Sequence, residues 1–378
     1  MTVRVNKQPF NLREKLSELE RPIGLKGSEL MKSETAQEAR DLVSAGRKNM
    51  IINGSMKVAQ RGTSGAGTGY NSVDRIHMAT STSNVTFSQG SITSGKPYSK
   101  GFRNYGRMTN TSASTASNSY REIDYKVEAR DLANSGWVIN DGGSHATFSA
   151  WVRSSVTQKF FIYIRSIGGT TKSYTFGFET IANTWVKIEH TIPGDPTLGV
   201  NNDNSVGMLI RFVVDYGPNY TGSSCTEEVW RVTGSDYTPD SDGTWAATAG
   251  ATFDITGLQL EVGKNATEFE HRLYGEELAL CQRYCEIWTA GNSFYASPAA
   301  GYSNLYRSWV PFKVEKRANP TVNTYGIGGY PNNPGKVDTD GVGNDAITQD
   351  GVSIHGFRIN GVASPHSFQC GISAEAEL

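Results

Sequence analysis

From Met50 to Val262 apolar and polar residues alternate with a period of two, the spacing of side chains that point to opposite faces of a strand. In Thr147–Arg153 (TFSAWVR) the alternation sets Phe148, Ala150 and Val152 on one side. Lys159–Arg165 (KFFIYIR) opposes Phe160, Ile162 and Ile164 to Phe161, Tyr163 and Arg165. Thr184–Ile192 (TWVKIEHTI) separates Val186, Ile188, His190 and Ile192 from Trp185, Lys187 and Glu189, while Val206–Val214 (VGMLIRFVV) lines up Val206, Met208, Ile210, Phe212 and Val214. Thr252–Val262 (TFDITGLQLEV) closes the series. Gly, Asn, Asp and Ser clusters separate these runs, and about ten short strands with such turns predict an antiparallel jelly-roll β-sandwich over residues 48–270. A parallel α/β sheet would need helices between the strands, and the pattern shows none.

The period changes at both ends of this region. Leu278, Cys281, Tyr284, Cys285 and Trp288 recur at spacings of three and four behind Glu276 and Glu277, which suit the positive end of a helix dipole. A connector helix is therefore expected over residues 271–289, its stripe a packing seam between two β domains or between protomers. Residues 290–378 return to short strands, such as Leu305–Val314 and Ser353–Ile359 around the loop Gly326–Gly343, and read as a small C-terminal β domain. At the other end, Asn11 and Glu14 form a capping box before Leu12, Leu16 and Leu19, and Pro22 stops the pattern. A second helix follows through Leu30, Ala39, Leu42 and Val43 to Gly46. Residues 1–47 thus read as an α-helical arm whose leucines need a partner surface, because helices this short are marginal alone.

Composition narrows the chemistry. The 378 residues carry a formal net charge of −1, which gives no drive toward nucleic acid, and no apolar run is long enough to insert in a membrane. The N-terminus lacks the apolar core of a signal peptide, so synthesis in a cytoplasm is expected. Cys225, Cys281, Cys285 and Cys370 fit neither a redox CxxC nor a complete zinc set and are expected as reduced thiols. Gly90–Lys96 (GSITSGK) matches a phosphate-binding loop until Pro97 takes the place of the magnesium-binding hydroxyl, so a hairpin turn is expected there. The six histidines show no metal-binding pair, and no GxSxG elbow is present; no cofactor, metal or catalytic residue is predicted. Asp236, Asp240 and Asp242 share one loop that could serve a glycosidase, though a solvated turn is the simpler reading.

Aromatic residues are the remaining resource, since ring faces stack on the C–H side of a pyranose. Candidates outside the strand phase are Tyr216, Asn219 and Tyr220 in DYGPNYTG, Tyr237 and Trp245 in the next loop, and Tyr330, Asn332 and Asn333 in GGYPNNPG.

The strings KNMIINGSMKVAQRG, YNSVDRIHM, FSAWVRS, ANTWVKIEHTIPGD and ITGLQLEVG…ATEFEHRLYGEELALCQRYCE resemble the jelly-roll domain of phage tail-fibre and virion structural proteins. That domain is similar in outline to the carbohydrate-binding modules attached to xylanases and cellulases, and the resemblance covers about residues 48–290. NLREKLSELERPIGLKGSEL resembles the N-terminal arm of fibres of short-tailed marine phages, and FQCGISAEAEL their C-terminal strand. The resemblance implies a virion protein, a homotrimer docked to tail or portal-adaptor proteins through residues 1–47 with Leu12, Leu16, Leu19, Leu30 and Leu42, and a host cell-surface polysaccharide as ligand. A head or capsid fibre without glycan binding and a polysaccharide depolymerase are the alternatives. In the related modules acidic residues of the first and last strands help hold a structural calcium. Lys57 and Thr256–Gly257 stand at those positions here, which predicts that this ion is absent.

Overall fold

The computed structural model describes residues 49–295, 297–298, 305–325, 348–362 and 367–378. The chain divides after Lys48, and all of these residues belong to the second unit, Asn49–Leu378. Leu12, Leu16, Leu19, Leu30, Leu42, Tyr330, Asn332 and Asn333 lie outside the described residues.

The alternating region folds as a mainly antiparallel β-sandwich. Its strands begin with β1 (Ser64–Ala66), β2 (Ile76–Thr80), β3 (Val85–Ser91), β4 (Asn104–Asn110) and β5 (Tyr120–Glu128). They continue with β6 (His145–Ser154), β7 (Gln158–Ser166), β8 (Gly168–Gly169), β9 (Lys172–Thr180) and β10 (Val186–Pro193). The last are β11 (Leu198–Gly199), β12 (Val206–Tyr216), β13 (Arg231–Val232) and β14 (Thr252–Val262). One sheet runs β1, β3, β4, β14, β6, β10; the other runs β13, β9, β7, β12, β5, β2; β8 and β11 pair separately. Short helical turns α1 (Gly95–Ser99), α2 (Ala129–Ala133) and α3 (Thr244–Ala247) lie between strands. The segment GSITSGK runs from the end of β3 into α1 within the connection to β4.

The inward set read from the pattern fills one core. Phe148, Ala150 and Val152 meet Phe160, Ile162, Ile164, Met208, Ile210 and Phe212 there, with Phe148 and Phe212 ring centroids 5.9 Å apart across the two sheets. Burying each such side chain contributes about 1.5–3 kcal/mol, enough to fix which face of every strand turns inward.

Three register steps interrupt the sandwich ladders, at Val206/Met208 and Val213/Asp215 in β12 and at Thr256/Gln259 in β14, and the last two re-aim side chains. In β14 the register steps from Thr256 opposite Trp151 to Gln259 opposite Ser149, so the inward residues change from Phe253 and Ile255 to Leu258 and Leu260. Gly257 sits in that step at φ +65°, where a Cβ would come 2.7 Å from the Phe102 ring. In β12 the pairing with β5 passes from Val213 opposite Glu122 to Asp215 opposite Arg121. The extra residue re-aims Tyr216 onto the outer face, where it joins Val213.

The helix expected over 271–289 is shorter: α4 spans Tyr274–Gln282, and strand β15 (Cys285–Tyr295) begins three residues later. Only Leu278 and Cys281 of the stripe lie on it. Cys285–Trp288 are drawn into a ladder with β21 (Ser367–Glu375), since pairing with a distant strand satisfies backbone groups that a helix would otherwise bond locally. The chain between these strands forms β16 (Ser297–Pro298), β17 (Leu305–Pro311), β18 (Thr321–Tyr325), β19 (Thr348–Asp350) and β20 (Gly356–Val362). They make a three-stranded sheet β15, β21, β18 and a four-stranded sheet β16, β17, β20, β19. Val310, Phe312, Phe357, Ile359 and Ile372 form their core, with Trp288 packed against it.

The C-terminal sheets dock on the sandwich through a seam of Ile52, Val58, Cys281 and Tyr284, with Leu278 and Leu378 alongside. Cys225, Cys281 and Cys285 are free and buried, and burial pushes the Cys281 and Cys285 thiols up.

Candidate functional site

The outer face of the second sheet collects polar residues that the period-two pattern leaves pointing away from the core. Ile123, Tyr125 and Val127 of β5 face inward, so Glu122 and Asp124 face outward. Register then places His77 of β2 opposite Asp124, Asp124 opposite Arg211 of β12, and Arg211 opposite Tyr163 of β7. This is one cross-strand row over four strands.

The row is held by charge-assisted hydrogen bonds. Arg211 donates from Nε and Nη2 to the two Asp124 oxygens at 2.7 and 2.8 Å, and from Nη1 to Glu122 Oε1 at 2.8 Å. The Tyr216 hydroxyl donates to the same Glu122 oxygen at 2.6 Å. Burial foremost pushes the Glu122 carboxyl up to about 7, Arg211 opposing it and the nearby Asp124 charge adding to it. Burial also disfavours the Asp124 charge, but Arg211 outweighs it and holds that carboxyl below the ordinary aspartate range.

Tyrosines gather over this row. Phe161, Tyr163, Val213 and Tyr216 form the buried floor, and Tyr120, Tyr220 and Tyr237 lie half-exposed on it. Tyr220 and Tyr237 stack 6.1 Å apart at 18°, Tyr120 meets Tyr220 edge-on at 5.8 Å, and Tyr163 meets Tyr237 edge-on at 5.5 Å. The loop after β12 is pinned so that these rings stay over the sheet. The Tyr237 amide donates to the Tyr220 carbonyl at 2.8 Å, and Thr175 of β9 donates its hydroxyl to the Tyr237 carbonyl at 2.9 Å.

Three of the residues singled out in the sequence, Tyr216, Tyr220 and Tyr237, are thus brought together. Asn219 is exposed beside them. Tyr216 is not a loop residue, however. It ends β12 at 4% exposure with its hydroxyl engaged by Glu122, so it supports the half-exposed rings from below. Trp245 needs a larger correction: it sits in α3 at 0% exposure within the sandwich core, because burying so large a ring removes much apolar surface from water. His77, Glu122, Asp124 and Arg211 were missed. Their outward phase was readable on the strands, but the row that joins them depends on pairing between segments remote in the chain.

The acidic loop behaves as a capped turn. Ser224 donates its hydroxyl to Asp236 at 2.5 Å and holds that carboxyl below its ordinary range, and Thr221 donates to Asp240 at 2.8 Å. Glu122 and Asp124 are both buried and both tied to Arg211. Lys57 donates to the Arg272 carbonyl at 2.5 Å, and the Thr256 hydroxyl to the Asn104 carbonyl at 2.7 Å. Among the described residues, no group of three or more His, Cys, Asp or Glu side chains is arranged to hold a metal ion.

No protein-family model matches this chain, and no curated protein matches it. Solved structures with some likeness include the enzymatically active domain of tailspike protein 4 of bacteriophage CBA120, at 10% identity and TM-score 0.32. That match covers 57% of this chain and 21% of the tailspike domain, so the chain spans about a fifth of that neighbour's length. A putative sugar-binding protein of Bacteroides thetaiotaomicron matches at 8% identity and TM-score 0.29, over 58% of this chain and 100% of its own. A CBM4 structure matches at 9% identity and TM-score 0.30, over 56% and 99%. With TM-scores this low, the functional reading rests on the geometry of the face itself.

Proposed function

We propose that this chain is a non-catalytic glycan-binding structural protein of a phage virion, a tail fibre or receptor-binding protein that attaches through residues 1–47 and presents its β-sandwich to host surface polysaccharide. The observation that carries glycan binding is the convergence of half-exposed Tyr120, Tyr220 and Tyr237 over a rigid Arg211–Asp124–Glu122 row. Rings held this way offer an apolar face to a sugar and hydroxyls to its edges, at little entropic cost on binding. The virion assignment is supported by the sequence strings and the leucine-bearing arm.

Homotrimeric assembly supplies the strength that one shallow face lacks. A millimolar contact corresponds to about 4 kcal/mol, and linked copies can gain roughly 10²–10⁴ in avidity when they engage together.

Glycan arrays and cell-adsorption assays on the full chain test the reading. Binding should fall by about tenfold or more in the Tyr220→Ala/Tyr237→Ala double variant with an unchanged melting temperature, the equivalent of at least one lost contact. A full chain that binds no glycan would leave a purely structural head or capsid fibre. Reducing ends released from host envelope polysaccharide would make it a depolymerase.

A further inference from the structure

The outer face of the first sheet, on the other side of the sandwich from the tyrosines, carries a second aromatic cluster. Ile92, Phe102 and Trp151 form its buried floor, and Tyr105, Trp185 and Phe269 are half-exposed above it. A row of charge crosses the same face: Asp254 of β14 stands opposite Arg107 of β4 on one side and Arg153 of β6 on the other.

Asp254 is 0% exposed and serves both arginines. It accepts Arg107 Nε at 2.7 Å and Nη2 at 2.9 Å and Arg153 Nε at 2.8 Å, and Arg153 Nη2 forms an ion pair with it at 2.6 Å. One carboxylate between two guanidinium groups leaves one positive charge over, and each guanidinium keeps N–H donors that Asp254 does not use. Both remain reachable, with side-chain exposures of 31% for Arg107 and 27% for Arg153. The rings hold them in place: Arg153 lies 4.6 Å from the Trp185 ring and 5.5 Å from Tyr105, and Arg107 lies 5.1 Å from Tyr105.

Neighbouring charge adds to the excess. The segment between β3 and β4, which supplies Ile92 and Phe102, also exposes Lys96 and Arg103. The acids nearby are matched, Glu268 to Lys100 at 3.1 Å and Glu189 to Lys187.

We propose that this face is a second carbohydrate-binding site, selective for uronate-bearing polysaccharide. A pyranose ring stacks on Trp185, and its carboxylate takes the unused N–H donors of Arg153 and Arg107 as a bidentate acceptor. The fixed fork makes a planar carboxylate a better match than a neutral hydroxyl, and the surplus charge makes an anionic chain a better match than a neutral one. None of these residues belongs to the tyrosine face, so the two sites stand or fall separately.

Calorimetry with the full chain and an oligogalacturonate at roughly physiological salt, where loose surface attraction is screened, tests the assignment. Trp185→Ala and Arg153→Lys should each weaken binding by about tenfold; the lysine keeps an ion pair to Asp254 but loses the planar fork. The Tyr220→Ala/Tyr237→Ala variant should bind oligogalacturonate as the parent does, and neutral xylo-oligosaccharide should not compete. Unchanged affinity in both Trp185→Ala and Arg153→Lys, with melting temperatures preserved, would overturn the site. So would no detectable binding by the parent chain, or equal affinity for dextran sulfate, which would reduce the face to unspecific cation attraction.

Discussion

Arg211 is the residue on which the tyrosine face turns, because its guanidinium joins Asp124, Glu122 and Tyr216 and so connects two strands to the floor of the ring cluster. A carboxyl raised to about 7 at its centre makes the fold sensitive to pH near neutrality. The stability that protonated Glu122 contributes is complete below the ordinary glutamate pKa and is lost as pH rises through about 7. Asp74, pushed up to about 6 chiefly by burial, acts in the same direction. His190 opposes them, since burial lowers its pKa and its contribution is lost as pH falls. Glu122→Gln keeps an acceptor for Tyr216 and Arg211 and removes one titration. Between pH 5 and 8 the parent should lose about 2–3 kcal/mol relative to this variant, read from urea unfolding; parallel pH profiles would show that Glu122 does not titrate there. Trp245→Ala should destabilise by about 3–5 kcal/mol through the cavity it leaves, with glycan binding unchanged in the molecules that remain folded. At this scale the sequence placed Tyr220 and Tyr237 outside the core, where the structure has them half-exposed, and misplaced Trp245, because a residue in a Gly/Ser/Asp-rich segment can still turn inward.

Among the elements, the bulges at Val213/Asp215 and Thr256/Gln259 decide which side chains the faces present. Without the extra residue in β12, Tyr216 would keep the inward phase of Phe212 and Val214. The bulge in β14 depends on Gly257, whose φ of +65° and missing Cβ admit Phe102 and Trp151. Gly257→Ala should cost about 1–3 kcal/mol, measured by thermal or chemical denaturation. The same change should loosen the aromatic floor beneath Trp185, and lost oligogalacturonate affinity in that variant would accompany a lowered melting temperature. The connector helix shows the limit of reading periods. Stripes at three and four continue to Trp288, yet the backbone changes state at Cys285 because β21 supplies a ladder that no local pattern announces.

For the molecule as a whole, the last residues tie the C-terminal sheets to the sandwich. Glu377 pairs with Arg75 at 2.5 Å and with Arg61 at 3.1 Å, while Lys126 and Tyr70 donate to the Leu378 main-chain oxygen at 2.6 and 2.9 Å. Burial works against the Arg75 charge, but Glu377 and the surrounding tyrosines more than offset it and keep it above the ordinary arginine range. Arg75 also lies 3.6 Å from the Tyr284 ring, at the centre of the seam. Glu377→Ala leaves two buried guanidinium groups short of their partner and should destabilise by about 3–5 kcal/mol. Calorimetry should then resolve separate transitions for the sandwich and the C-terminal sheets; one unshifted transition would count against the seam as their coupling.

The mainly β class, the inward set of Phe148, Phe160, Ile210 and Phe212, and the placement of Tyr220 and Tyr237 outside the core were legible in the residues alone, since a period of two is a local property that burial then enforces. The helix end, the inward turn of Trp245, the Arg211 and Asp254 rows and the seam came only with the folded chain. These depend on partners far along the chain, as with Arg61 and Glu377, 316 residues apart. Which strand lies beside which is settled by how all the apolar faces are buried together, and no single segment contains that information.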